Sequence, residues 1–254
     1  MTPTPTATAA TTSTAETWAN RIQALLTKAE STAAEFPEEA EALVAKAQEL
    51  MVRHAIDEAT LSAAGRASSD RVVSDVVVIG APYATAKASL LGSVGRANDC
   101  RVVMGGAGAG SQRCVVVGHE SDLANVRSLF SALSIHAVRS MLAAAVPPFD
   151  TPRRFRHAFL LAFSGRIGER LWEAGEAIRA QARSQAGTGA GVSLVLADRT
   201  TAVDQAFRQE FPRIRTTRSS SSSGAGRASG RTAADRAGLG QAGIGGARQR
   251  LGSG

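Results

Sequence analysis

The sequence predicts an α+β fold: an N-terminal antiparallel helical hairpin, then a small sheet packed with long helices. Three observations lead there. Residues 36–57, FPEEAEALVAKAQELMVRHAID, and the segment before them both place apolar side chains at helical spacing. Two valine-rich stretches, RVVSDVVVIG (71–80) and QRCVVVG (112–118), have strand composition and end in glycine. Segments near 120–145 and 152–184 keep a helical apolar period for far longer than a strand runs.

In chain order, residues 1–14 are rich in Thr, Pro and Ala and read as a disordered leader. The hairpin module occupies 15–64. Its first helix, about Ala15 to Ala33, aligns Trp18, Ile22, Leu25, Leu26 and Ala29 on one face. The second opens on Pro37, which suits a first helical position, and places Glu38, Glu39 and Glu41 where the helix dipole favours carboxylates. Its apolar stripe is Ala40, Leu43, Val44, Ala47, Leu50 and Met51, with His54 at the margin. With so short a connection the two helices should form an antiparallel pair, packed stripe to stripe. Asp57 reads as the N-cap of a short third helix to about Ala64, and 65–70 as a linker.

An α+β domain over 71–215 follows. Strand 71–80 leads to a helix over 84–97, with Leu90, Leu91 and Val94 inward. CRVVM and QRCVVVG flank GGAGAGS as a β-hairpin. Pro147 and Pro148 stop the 120–145 helix, and another runs from Pro152 to about Ser184. VSLVLA (192–197) reads as a strand and 201–210 as a short helix. Residues 216–254 form a Ser/Gly/Arg-rich tail. Within it Gly226, Gly230 and Ala234 recur every four residues, so the tail is either a flexible basic segment or a smooth-faced helix able to approach another backbone.

Charge is uneven. Residues 1–70 have 5 basic and 10 acidic side chains, 151–185 have 7 and 3, and 208–254 have 9 and 2. An acidic front and a basic rear suit mutual attraction or a polyanionic partner. The start of the chain has neither the basic nor the apolar region of a secretory signal, and no apolar run nears the roughly 18 residues of a membrane span. Cys100 and Cys114 offer no disulfide framework. A cytoplasmic protein is expected.

RIQALLTKAESTAAEFPEEAEALVAKAQELMVRHAID (21–57) resembles the bacterial and phage family called domain of unknown function 2786. The resemblance rests on Ile22, Leu25, Leu26, Lys28, Ala29 and Glu30 in the first helix. It continues through Glu38, Glu39, Ala40, Ala45, Lys46, Ala47, Gln48, Leu50 and Met51 in the second, and Ile56. FLLAFSGRIGERL (159–171) is similar to the α+β region that often follows this module. The resemblance implies no particular activity, catalytic residue or cofactor.

The motifs exclude more than they assign. MGGAGAGS (104–111) lacks the Lys of a Walker loop and runs into a strand, so it reads as a hairpin turn. The four histidines, His54, His119, His136 and His157, show no HExxH spacing. No GxSxG elbow exists, and Ser164 falls inside a helix. Cys100 and Cys114 lie near one another on adjacent strands if the hairpin forms, either as small core residues or as a redox or metal pair. In PRRFRHAFLLAFSGRIGERL, Arg153, Arg154 and Arg156 crowd the positive end of a helix dipole, which suits a bound anion, and Arg166 and Arg170 follow one turn apart. Phe155, Phe159 and Phe163 form a core stripe.

The function expected from these features is non-enzymatic binding or an adaptor role. It would contact nucleic-acid backbone through Arg153, Arg154, Arg156, Arg166 and Arg170 and through the tail, in a salt-dependent way. One alternative is a protein–protein module whose docking face is Glu38, Glu41, Lys46, Glu49 and Arg53. Another is a metal-dependent hydrolase with ligands drawn from dispersed His, Asp, Glu and Cys. No catalytic residue, metal ligand or cofactor is expected.

Overall fold

A computed structural model of the chain describes residues 7–33, 35–63, 70–108, 110–185, 190–214 and 220–237. Among these, ten elements follow in order: α1 (Ala7–Thr32), α2 (Pro37–Ala63), β1 (Val72–Ile79), α3 (Ala84–Ala97), β2 (Arg101–Gly108), β3 (Ser111–His119), α4 (Glu120–Ala143), α5 (Pro152–Gln185), α6 (Ala190–Glu210) and α7 (Gly224–Arg236). The fold class is α+β, as the periodicities predict.

α1 and α2 pair through their apolar stripes, burying Ile22, Leu26 and Ala29 against Ala40, Val44, Ala47 and Met51. Lys28 and Glu39 close the pair with an exposed 2.9 Å ion pair. The stripes continue into one buried cluster that takes in α3, α4 and α5. α1 also meets α4, where the Ser128 hydroxyl donates to Gln23 Oε1 at 2.7 Å.

The sheet is antiparallel, in the order β1-β3-β2. β3 is therefore central, and its positions Cys114, Val116, Val117 and Gly118 are buried. Gly110, with φ 82°, makes the β2–β3 turn, a conformation glycine adopts without steric cost. α5 is the axis of the helical layer. Phe155, Phe159 and Phe163 point inward from it with essentially no exposure, and the last two rings stack at 9°. α3 packs along one side of α5 and α7 along another.

Three sequence expectations need correction. α1 begins at Ala7, so half of the expected leader is helical: past Pro5, ATAATTSTAE contains neither Gly nor Pro to stop a helix extending backward. α2 runs unbroken to Ala63, and Asp57 lies exposed inside it rather than capping a third helix. VSLVLA is helical. Leu196, Arg199, Val203 and Phe207 continue at spacings of 3 and 4, and this period overrides the local β propensity. Of the two readings of the tail, the structure shows the smooth-faced helix over 224–236, where Gly226 and Gly230 let its backbone sit against the Phe155 and Phe159 carbonyls. The expected linker lies mostly in 64–69, outside the described residues.

Candidate anion-binding cleft

A cleft of about 680 Å³ opens where three chain segments meet. Pro82–Ala86 enters α3, Arg153, Arg154 and His157 lie on the first turns of α5, and Ser220–Ser222 lead into α7. The backbone supplies part of its electrostatics. Tyr83 sits at the α3 N-cap in the left-handed region (φ 59°), and no side chain caps that helix. The first α3 amides therefore lack an internal acceptor and keep the positive end of the helix dipole available.

The other two helix starts are tied together. The Asp150 carboxylate accepts from Thr151 N–H at 2.8 Å and from the Ser223 hydroxyl, and Ser223 Oγ accepts from Gly226 N–H at 2.9 Å. These bonds, the one from Ser223 first, hold the Asp150 carboxyl below its ordinary range. Arg154 leans over the junction and donates to Ser222 Oγ at 3.2 Å and to Ser222 O at 3.3 Å. Arg153 is exposed, and among the described residues neither it nor His157 has a hydrogen-bonded or ion-paired side chain.

The five arginines marked from sequence thus divide. Arg153 and Arg154 line the cleft. Arg156 is half-buried, its Nε without a partner among the described residues, and it does not line the cleft. Arg166 and Arg170 hold α7. Arg166 pairs with Glu169 at 3.0 Å and with Asp235, while Arg170 donates to the carbonyls of Ala234, Asp235 and Ala237 at the α7 C-terminus. A cation at that end is favoured by the helix dipole. On α2, Glu49 bridges Lys46 at 2.8 Å and Arg53 at 2.9 Å, with the Lys46 bond first among the causes lowering its carboxyl. Glu38 is exposed, and Glu41 borders a small apolar pocket shared with α1 and α4.

A second polar centre, invisible in the sequence, is buried between α2, α4 and α6. Asp70 caps α4 from a distant position, accepting from Ser121 N at 3.1 Å and Ser121 Oγ at 2.8 Å. Arg199 of α6 donates to Asp70 at 3.0 Å and to Asp122 at 3.2 Å. Burial raises the Asp70 carboxyl, but the Ser121 amide, the Arg199 charge and the Ser121 hydroxyl outweigh it and leave it below its ordinary range. For Asp122 burial dominates, and its carboxyl is pushed up to about 7. His119 Nδ1 lies 3.1 Å from the Asp70 carbonyl, and its buried Nε2 has no partner among the described residues.

The remaining candidates scatter. His136 rests against the Phe163 ring at 5.8 Å, and His54 is buried edge-on to Trp18 at 6.3 Å. Burial lowers both imidazoles, which favours their neutral forms. Cys100 lies against Gly118 while Cys114 pairs with Met104, so the thiols are not opposite one another. Four strand residues, roughly 13 Å, separate their positions along β3. Burial raises both thiols, the condition of inert core cysteines. Ser164 donates to Leu160 O at 2.7 Å inside α5. Among the described residues no three His, Cys, Asp or Glu side chains are grouped to hold a metal ion, so the hydrolase alternative finds no ligand set there. Nor is any described helix long and apolar enough to cross a membrane.

Residues 19–58 match the family model described as a protein of unknown function (DUF2786), which agrees with the resemblance of the hairpin. No curated protein and no solved structure matches the chain.

Proposed function

We propose that this chain is a binding protein that takes a phosphate-bearing ligand, the backbone of a nucleic acid, in the cleft between α3, α5 and the segment leading into α7. The observation that carries this reading is the unpaired Arg153 guanidinium beside Arg154 and His157, facing the uncapped start of α3. Guanidinium groups and first-turn amides are the donors that recognise phosphate oxygens. Ser220–Ser222 and Thr85 add hydroxyls around the same space. The reading keeps Arg153 and Arg154 of the five marked arginines and adds His157. Arg166 and Arg170 instead serve as the fastening of α7.

Guanidinium groups, hydroxyls and first-turn amides around the cleft are hydrogen-bond donors, and holding an anion is the chemistry they supply. The α2 face is less favoured as a docking surface because Lys46, Glu49 and Arg53 satisfy one another.

Salt-titrated fluorescence anisotropy with a labelled single-stranded oligonucleotide tests the reading. Wild-type affinity is expected to fall steeply with salt. In an Arg153→Glu/Arg154→Glu chain, affinity should drop and the log–log slope flatten by about 1.4 if two phosphate contacts are lost. Binding that is absent, salt-independent or unaltered in the double variant would refute it.

A further inference from the structure

We infer that the ligand of the cleft is a single strand of nucleic acid, one of whose bases stacks on the Phe149 ring while Arg153 and Arg154 hold the phosphate beside it. The inference rests on the phosphate-binding role proposed for the cleft, and adds a contact to the ligand that does not depend on charge. Phe149 is 83% exposed, more than any other large apolar side chain among the described residues. Burying a phenyl ring is favourable, and a ring left in water forgoes that gain. The same connection between α4 and α5 does bury other apolar groups, since Ala144 and Val146 pack against the core.

The ring is carried on a turn that is held at both ends. Asp150 N–H donates to the Pro147 carbonyl at 3.0 Å and closes a four-residue turn over 147–150. Pro148 takes its second position, where a fixed φ suits the turn, and Phe149 takes the third. At the far end the Asp150 carboxylate accepts from Thr151 N–H and from the Ser223 hydroxyl. An exposed aromatic ring on a fixed turn loses little freedom when a flat partner settles on it.

The same turn adjoins the cleft. One atom, Arg154 Nε, lies 3.2 Å from the Ser222 hydroxyl on the cleft wall and 3.8 Å from the Asp150 carboxylate. Phe149 is the next residue back, its Cα about 3.8 Å from that of Asp150. Arg153 and Arg154 follow directly, in the first turn of α5. The ring and the two guanidinium groups therefore belong to one end of one helix.

This combination selects among phosphate-bearing ligands. Phosphate oxygens have no use for an aromatic ring. Every base has a π face, and proteins that hold single strands join a cationic track to rings on which bases stack. In a duplex those faces are covered by neighbouring bases, and freeing one costs unstacking and unpairing. Each stacked base raises affinity roughly 5- to 140-fold.

Fluorescence anisotropy of the full chain with three labelled ligands tests this: oligothymidine, an abasic strand of the same length and charge, and a duplex. Wild type is expected to bind oligothymidine at least about fivefold more tightly than the abasic strand. Phe149→Ala should remove that preference and leave the salt slope, the abasic strand and the duplex unchanged, because no phosphate contact is lost. Phe149→Trp should restore it. Trp172 is 55% exposed on the same helix, but roughly 28 Å of α5 separates it from Arg153, so Trp172→Ala should bind as wild type. Equal wild-type affinity for the two strands, an unaltered Phe149→Ala, or an equal loss on the duplex or in Trp172→Ala would overturn the inference. The phosphate-binding role itself would survive any of these while Arg153→Glu/Arg154→Glu still weakened all three ligands, and both would fall if that variant bound as wild type.

Discussion

A Gly230→Val chain is expected to keep its core and lose the docking of α7. The Gly230 Cα sits so close to α5 that a Cβ would fall within the van der Waals shell of the Phe159 carbonyl oxygen and also crowd the Phe159 Cα and C at 3.0 Å. These atoms are backbone in the middle of a helix and cannot rotate away. Overpacking against a rigid surface costs on the order of 3 kcal/mol, about a hundredfold in the docking equilibrium. Undocking also frees Arg166 and Arg170, which now hold Asp235 and the last carbonyls of α7. Limited trypsin digestion provides the check. Cleavage after Arg227, Arg231 and Arg236 should accelerate by at least about tenfold while α5 remains protected. Ala228→Val, on the exposed face of α7, should behave as wild type.

The second large effect is expected from Arg199→Ala. The guanidinium bonds both Asp70 and Asp122, and all three side chains are nearly buried. Removing one partner of such a group leaves charge uncompensated in the interior, at a cost of about 3–5 kcal/mol. The loss should grow with pH. Near pH 5 Asp122 is protonated in the folded wild type, and Arg199 mainly serves Asp70. Above about pH 7 Asp122 ionises, and the missing cation then serves two carboxylates. In the wild type the same sign makes Asp122 lower stability as pH rises from about 4 to 7. Asp70 acts oppositely, since its depressed carboxyl adds stability that disappears as pH falls below its folded value. Urea unfolding of wild type and variant at pH 5 and pH 8 would measure both trends.

The parts legible in the sequence are those set by local periodicity. The helix over 84–97, the hairpin around GGAGAGS and the phenylalanine stripe of α5 all coincide with observed elements. Proline and glycine mark those boundaries, and no distant contact is needed to set them. VSLVLA shows the limit: its six residues have strand composition, and only the longer period through Phe207 assigns them to a helix. Asp57 looks like a cap by residue type, but the helix continues because no Pro or Gly intervenes before Ala63. The row of Gly226, Gly230 and Ala234 signals a close backbone approach without saying to what.

The two polar centres differ in the same way. Arg153 and Arg154 stand out because charge accumulates where a helix dipole opposes it. His157, Thr85 and Ser220–Ser222 acquire meaning only when α3, α5 and the approach to α7 converge. Asp70, Ser121, Asp122 and Arg199 come from segments up to 129 residues apart, and no spacing links them. HESD marks the start of α4, but the cap that satisfies it is Asp70.

The most direct test of the account is amide chemical-shift mapping of the full-length chain titrated with inorganic pyrophosphate. The account predicts saturable shifts concentrated at Ala84, Thr85, Ala86, Arg153, Arg154 and Ser220–Ser222, weakened by salt and lost in Arg153→Glu/Arg154→Glu. Shifts absent there, or centred instead on α2 or on Arg166 and Arg170, would contradict it.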